Sequence, residues 1–441
     1  MTTVPQLAEA LQTLFTTTAE DTARATHFVQ RRSKLGGAAF AQALVFAWLA
    51  DPQATVEARA QAAAVAGVPI SPQGLEQRCT EKAAVFLEAL LGQAVRTVIA
   101  ADPVAIPLLA RFTAVVVQDS STLVLPDVLA PWWPGCGGSS EEHTAAALKL
   151  QVRVDLCCGT LSGPLLSDGR AHESTSPLQR APLPPGALRL ADLGFFDLGV
   201  FADMSAHGVY WLSRLLLSTA VFTPDGQRCA VLSLLAAQGT ATVDLPICLG
   251  ATRHLSARLL GVRVPDEVAN QRRYRLRAAA KRRGRTPSAA QLAAADWTIL
   301  VTNTPPALLS VREALVLARA RWQIELLFKL WKSHGFIDES RSSKPWRVLC
   351  EVFAKLLAMV IQHWVLLTGC WSVPDRSLVK AAHTIRQHAL HLASTLAETA
   401  ALGTALTVIH RALAAGCRLN HRKTRPTTAQ LLRDPSLLAF G

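Results

Sequence analysis

The chain has 441 residues, of which 50% are apolar and 17% are charged, and its formal net charge is +13. This length and apolar content allow two or three domains with a large buried core, and they exclude a disordered chain. A positive charge of this size favours a polyanionic partner, with nucleic acid as the first candidate; the alternative is a basic protein with no such partner.

Cysteine usage and hydropathy indicate the compartment. The nine cysteines are an odd number, with no CxxC pair and no Cys/His cluster at zinc spacing, which favours reduced thiols in a cytosolic protein. Residues 1–9 lack a basic segment followed by an apolar core, so no signal peptide is predicted. The most apolar segment, 348–371, contains Glu351, Lys355 and His363 and is predicted to be a buried helix. We therefore expect a cytoplasmic, nucleoid-associated protein without a membrane partner.

The first 110 residues differ in character from the segment that follows. Residues 1–110 are rich in Ala and Leu with helical periodicity, and they predict a helical N-terminal domain with DNA binding as its expected role. Residues 112–119 are a β-branched run that ends in Asp119, and residues 187–192 form a strand-like run that ends in Asp192. Acids at strand ends predict an α/β core, with 111–219 as its first part.

The next segment interrupts this core. Residues 220–296 predict a β-rich insertion with strand-like pieces at 230–234, 240–247 and 259–264. The insertion contains a basic run, 271–285, with eight cations and no acid. We expect this run to contact the DNA backbone; the alternative is a mobile linker.

The remaining chain returns to the core and then becomes helical. Residues 297–345 are predicted to complete the core with a strand at 297–303 and one long helix at 311–334, and residues 346–441 to form a helical C-terminal region. At 100° per residue, Arg321, Glu325 and Lys332 fall on one narrow stripe of that long helix.

A carboxylate between two cations suits a site that holds a divalent metal and a phosphodiester together. The alternative is a solvated helix face with an Arg321–Glu325 ion pair. Asp119, Asp192 and Glu325 are the ligand set that two cations about 3.5–4 Å apart would need for in-line attack on a phosphodiester. Oxygen ligands favour Mg²⁺ or Mn²⁺ over zinc. Asp155 also ends a strand-like run and is the best rival to Asp119.

These residues resemble those of a known family, the bacterial insertion-sequence transposases of the cut-and-paste type with a DDE catalytic core and a Tyr-Arg-Glu-Lys signature. In the signature, Tyr precedes Arg by three positions, and Glu and Lys follow at the spacing of Arg321, Glu325 and Lys332. Asp119 ends Val-Val-Val-Gln-Asp, and Asp192 begins Asp-Leu-Gly-Phe, as in the family.

One position departs from the signature. The tyrosine position is Ala318, which removes a ring and a hydroxyl from the expected DNA contacts but removes no metal ligand. The departure raises the alternative of a catalytically impaired regulator that binds the element ends without cutting them.

The resemblance implies an RNase H-like catalytic core with a β-rich insertion, cleavage of double-stranded DNA at the element ends, strand transfer into target DNA, and a homodimer on paired ends. It implies that Arg321 and Lys332 bind phosphates, and Lys329 in the same motif is predicted to bind DNA as well. Trp297 is the candidate for stacking on a flipped-out base; the alternative is an ordinary core tryptophan.

We therefore predict a Mg²⁺-dependent (or Mn²⁺-dependent) DNA transposase with endonuclease and strand-transfer activity. Asp119, Asp192 and Glu325 are the predicted catalytic metal ligands. The alternatives are the regulator and a general DNA nuclease.

Overall fold

The computed structural model describes residues 1–31, 35–136, 145–340, 342–373, 375–420 and 426–438. Its α-helices, in chain order, are α1 (Val4–Thr13), α2 (Ala19–Ala25), α3 (Gly37–Ala50), α4 (Val56–Val65), α5 (Pro72–Gln77), α6 (Glu81–Arg96), α7 (Pro177–Arg180), α8 (Leu198–Ala206), α9 (Val231–Ala237), α10 (Asp266–Arg282), α11 (Ala289–Ala293), α12 (Val311–Ala320), α13 (Trp322–Lys329), α14 (Pro345–Cys370), α15 (Leu378–Gln387), α16 (Ala389–Thr395), α17 (Thr399–Ala415) and α18 (Thr428–Arg433).

The strands are β1 (Val115–Leu125), β2 (Ala146–Asp155), β3 (Leu161–Asp168), β4 (Leu188–Ala191), β5 (Tyr210–Arg214), β6 (Val221–Phe222), β7 (Arg228–Cys229), β8 (Thr242–Leu249), β9 (Leu255–Arg263) and β10 (Trp297–Thr302). The chain therefore has the mixed α/β architecture that the sequence predicts.

The chain divides into two compact units. The first unit comprises Met1–Ala105, Ser120–Ala171 and Ile324–His421, and the second unit comprises Ile106–Asp119, His172–Gln323 and Arg422–Gly441. Strand β1 contributes its first residues to the second unit and its last residues to the first. The domain boundaries given above remain predictions.

The first unit is built around α14. This helix packs against α1, α3, α6, α15 and α17. Among the described helices it alone is long and apolar enough to cross a membrane. Its most apolar stretch is entirely buried inside the protein, so its length and composition are weak evidence for a membrane span. The predicted buried helix is thus confirmed.

Two buried polar side chains of α14, those of Lys355 and His363, have polar partners. The Lys355 ammonium lies 2.8 Å from a carboxylate oxygen of Glu351. His363 is fully buried, its ring Nε2–H donates to the Gly159 carbonyl at 2.8 Å, and burial lowers its pKa to about 4. A neutral histidine and a paired lysine are tolerated there because buried polar groups cost little once they are hydrogen-bonded.

In the second unit the strands follow the order β1-β4-β5-β10-β9-β8-β6-β7. Strands β1, β4 and β5 are parallel, and β10 is antiparallel to both β5 and β9. Its core is apolar, with Phe201 stacked on Trp211 at a centroid distance of 4.4 Å. Strands β6 to β9, which lie within residues 220–296, therefore extend the sheet beyond β10.

Two strand predictions are wrong. The first strand does not end at Asp119 but continues to Leu125, because Ser120–Thr122 are compatible with a strand and the buried/exposed alternation resumes at Leu123. Pro126, which lacks an N–H, follows its end. Residues 231–234, predicted as part of a strand, belong to helix α9, because a short Leu- and Ala-rich run favours a helix as readily as a strand.

Several other predictions are confirmed. Strands β4, β8, β9 and β10 lie at predicted strand-like runs, and β2 ends at Asp155, as predicted. All nine cysteines are free thiols.

Candidate active site

Asp119 and Asp192 occupy neighbouring positions on two parallel strands. Strands β1 and β4 pair from Val115↔Leu188 to Gln118↔Ala191, so each acid is the next residue after the last registered pair. Neighbouring strands lie about 4.8 Å apart. The register therefore brings two carboxylate-bearing positions side by side.

Asp119 forms an ion pair with Arg321. The Nη1 atom of Arg321 lies 3.2 Å from Oδ2 of Asp119, and the two side chains are 19% and 17% exposed. Arg321 is the single residue between α12 and α13. The guanidinium of Arg321 therefore contacts the carboxylate that is predicted from the sequence to bind the metal.

A buried relay supports the turn after Asp192. The Asp192 carbonyl accepts a hydrogen bond from the Phe195 amide at 3.0 Å. The Phe195 carbonyl accepts one from Nε2 of Gln179 at 3.2 Å, and Arg189 Nη2 donates to Oε1 of Gln179 at 2.8 Å. Gln179 and Arg189 are both fully buried. The relay ties this turn to strand β4, and we infer that it holds Asp192 in position.

Replacing Gln179 by glutamate tests this relay. The glutamate still pairs with Arg189 but cannot donate to the Phe195 carbonyl. Loss of one buried hydrogen bond, about 1–1.5 kcal/mol, predicts about a tenfold slower DNA cleavage and a higher half-saturating Mg²⁺ concentration. Both are measured by titrating Mg²⁺ in a cleavage assay.

The matched control for Gln179→Glu is Asn303→Asp. Asn303 is another amide of the second unit whose side chain accepts from the Trp211 amide and donates to Ser205 and Val209. We expect this control to change stability without changing the Mg²⁺ dependence. An unaltered Mg²⁺ titration in Gln179→Glu would argue against the relay.

Neither Arg189 nor Gln179 was singled out from the sequence. The available signal was a charged residue inside the otherwise apolar strand Leu-Arg-Leu-Ala. A charge at such a position requires a buried partner, but the sequence does not say which one.

The predicted single helix over 311–334 is divided. Helices α12 and α13 are separated at Arg321, and residues Leu330–His334 form a π-helical turn. The extra residue per turn changes the direction of Lys332 relative to an ideal α-helix. Local π turns of this kind are not visible in hydrophobic periodicity.

In the first unit, Glu325 lies on α13 and is half-buried, and Lys329 at the end of that helix is exposed. Lys332 lies in the π turn, and its Nζ donates to the Thr122 carbonyl on β1 at 2.7 Å. Burial lowers the pKa of Lys332, and Asp338 opposes that shift. Lys332 is thus a half-buried cation anchored to the strand that carries Asp119 three residues earlier.

Trp297 has features of both a core tryptophan and a base-stacking residue. It begins β10, is half-buried, and packs against the apolar core of the second unit. It also lines a cavity of about 720 Å³ together with Arg214, Arg272 and Arg275. Its role in DNA stacking remains a prediction.

The rival acid Asp155 has a local structural task. Its Oδ1 accepts from the Cys157 amide at 2.9 Å, and the Cys158 thiol lies 3.0 Å from its Oδ2. These contacts close the turn after β2, which accounts for an acid at that strand end.

The carboxylates of Asp119 and Asp192 have the oxygen chemistry that hard divalent cations prefer. Within the described ranges, no group of three or more His, Cys, Asp and Glu side chains is arranged to hold a metal ion. Asp119 and Asp192 nevertheless offer oxygen ligands from adjacent positions, and Mg²⁺ is commonly bound by one or two carboxylates together with phosphate oxygens.

Acids at adjacent positions of two parallel strands, a guanidinium beside one of them and a strongly basic chain are typical of enzymes that act on nucleic acid. The description "Transposase DDE domain" belongs to the family model that matches residues 110–361, more than half of the chain. The chain therefore belongs to the DDE transposases, enzymes that cleave and join DNA.

Curated relatives agree with this assignment. The chain is 26% identical over 443 residues to the transposase for insertion sequence element IS231F of Bacillus thuringiensis subsp. israelensis, covering 94% of this chain and 91% of the relative. It is 21% identical over 277 residues to the IS1151 transposase of Clostridium perfringens, covering 58% of each chain. A shorter match, 38% identical over 102 residues, is to putative transposase InsL for IS186A of Escherichia coli, covering 23% of this chain and 28% of the relative.

Proposed function

We propose that this transposase cleaves DNA at the ends of an insertion sequence and joins the released ends to target DNA, with Asp119, Asp192 and Glu325 as its catalytic carboxylates. The observation that supports this most strongly is the β1/β4 register, which brings the positions of Asp119 and Asp192 side by side. The family assignment supports the same chemistry.

The three acids would hold two Mg²⁺ or Mn²⁺ ions. Such ions activate the attacking oxygen and stabilise the leaving oxygen in phosphodiester cleavage. Arg321 and Lys332 would bind non-bridging phosphate oxygens and hold the DNA strand in line with the acids. Lys329, which is exposed, would bind the DNA backbone nearby.

Within the DDE transposases, the chain belongs to the Tyr-Arg-Glu-Lys subtype. Its catalytic core is RNase H-like. The parallel strands β1, β4 and β5 and the antiparallel pair β2–β3 support that core. Trp297 would stack on an unpaired base, which is supported by its place in a cavity lined with arginines.

The partner is DNA, and we propose that two copies act on a pair of element ends, because concerted cutting of both ends requires two active sites. We place the protein in the cytoplasm on the nucleoid, with no membrane partner.

A cleavage assay on the inverted repeats that flank the coding region tests the proposal. We expect Mg²⁺-dependent cuts at the element ends and none on a scrambled duplex of the same length. Binding without cutting would favour the regulator, and equal cutting of both duplexes would favour a general nuclease. Ala318→Tyr, which restores the signature residue, should raise the cutting rate.

A further inference from the structure

Helix α10 carries most of the basic run of the second unit, and its inner side is fixed to the sheet. Arg272 donates to the Trp297 carbonyl at 2.9 Å and to the Thr298 hydroxyl at 3.0 Å. Arg273 forms an ion pair with Asp296. Ala269 is the buried residue of the helix. Two of the eight cations thus have structural tasks.

The other six cations are exposed. They are Arg275, Arg277, Lys281, Arg282, Arg283 and Arg285. Ion pairs identified among the described residues involve none of them. The sequence has no Asp or Glu from residue 268 to residue 295, so acids local in sequence do not neutralise them either. Uncompensated like charges on one helix repel one another, which favours an anionic partner.

The exposed side of α10 has a defined shape. At 100° per residue, Tyr274, Ala278 and Lys281 lie within one narrow stripe opposite Ala269. Tyr274 is 73% exposed although it is aromatic. The small side chain of Ala278 leaves a depression of about 510 Å³ lined by Tyr274, Arg275, Ala278, Lys281 and Arg282. Arginine, lysine and tyrosine side chains around such a depression are the kinds of group that contact phosphate oxygens.

We infer that this outer face of α10 is a docking surface for the sugar-phosphate backbone of duplex DNA. The helix has 17 residues and is therefore about 25 Å long, so it can follow several phosphates along a duplex. Arginine, lysine and tyrosine contacts to phosphates position DNA without reading its sequence. The surface is separate in role from the catalytic acids, and the inference does not depend on their assignment.

The test measures DNA binding in EDTA, so that cleavage plays no part. The variant Arg275→Gln/Arg277→Gln/Lys281→Gln/Arg282→Gln keeps good helix formers and removes four outward cations. We expect the affinity for a non-specific duplex at 150 mM salt to fall more than tenfold. The slope of log K against log salt should become shallower by about 3.

A scattered variant controls for net charge. Arg96→Gln/Arg228→Gln/Arg411→Gln/Arg433→Gln also removes four exposed cations, but from different elements. We expect a smaller change in the slope, below 1. An equal change in the two variants, or an unchanged slope in the α10 variant, would overturn the docking surface.

A single substitution separates the position of the depression from the net charge of the protein. Ala278→Glu places a carboxylate in the middle of the depression, and we expect it to weaken binding about tenfold. Ala400→Glu makes the same exchange at an exposed alanine in the first turn of α17 and should leave binding unchanged. Circular dichroism of both variants verifies folding. If the two variants bind DNA equally well, the depression plays no part.

Discussion

Glu325→Gln is expected to abolish DNA cleavage, with a loss of about 10³-fold or more in rate, while DNA binding persists. Glutamine has nearly the same size as glutamate but is uncharged, so it is a poor ligand for Mg²⁺. Asp192→Asn should behave in the same way, because its carboxylate follows directly on strand β4. A cleavage assay on end-containing duplexes and a binding assay in Ca²⁺ or EDTA measure the two properties separately.

The matched control is Glu339→Gln, which removes one exposed carboxylate from the same stretch of chain. We expect this variant to cleave at nearly the wild-type rate. Wild-type cleavage in Glu325→Gln would remove Glu325 from the catalytic set. Loss of both binding and cleavage would instead indicate a structural role for the residue.

Arg321→Gln is expected to have two opposite effects. Its guanidinium lies 3.2 Å from Asp119, so it partly neutralises the carboxylate that a metal would need. Removing the guanidinium should therefore lower the half-saturating Mg²⁺ concentration several-fold. The maximal cleavage rate should nevertheless fall about 100-fold, because a charged contact to the phosphodiester is also lost.

The control for Arg321→Gln is Arg319→Gln, an exposed cation two residues earlier, which should change neither quantity. Arg321→Lys keeps the charge but not the planar fork of donors, and we expect it to recover only part of the rate. A Mg²⁺ titration of the initial cleavage rate yields both values. If Arg321→Gln changes neither the half-saturating concentration nor the maximal rate, Arg321 is a structural residue.

The sequence alone predicted the two strands that carry the candidate carboxylates. The β-branched run before Asp119 and the short apolar run before Asp192 became the parallel strands β1 and β4. This worked because buried strands leave continuous apolar runs that end where polar side chains begin. The Arg/Glu/Lys spacing was also readable, since it follows a helical repeat.

Other features had no signal of that kind. The continuation of β1 beyond Asp119 depended on hydroxyl residues that are common both in strands and in turns. The π turn that holds Lys332 alters the helical repeat by one residue, which no apolar period reveals. The Arg189–Gln179–Phe195 relay joins side chains that only tertiary packing brings together.

The ion pair between Asp119 and Arg321 could not be predicted from the sequence either. Helical spacing relates Arg321 only to residues three or four positions away, such as Glu325. In the structure Arg321 reaches a strand residue 202 positions away along the chain. Long-range pairing of this kind depends on tertiary packing, and helical spacing carries no information about that.

We propose that Asp119, Asp192 and Glu325 jointly bind two divalent cations. The most direct measurement is an anomalous difference map from crystals of the protein bound to an end-containing DNA duplex and soaked in Mn²⁺. We expect two peaks about 3.5–4 Å apart, each within ligand distance of at least one of these carboxylates. Mn²⁺ peaks at other acids, or a Glu325 carboxylate pointing away from both peaks, would contradict the claim.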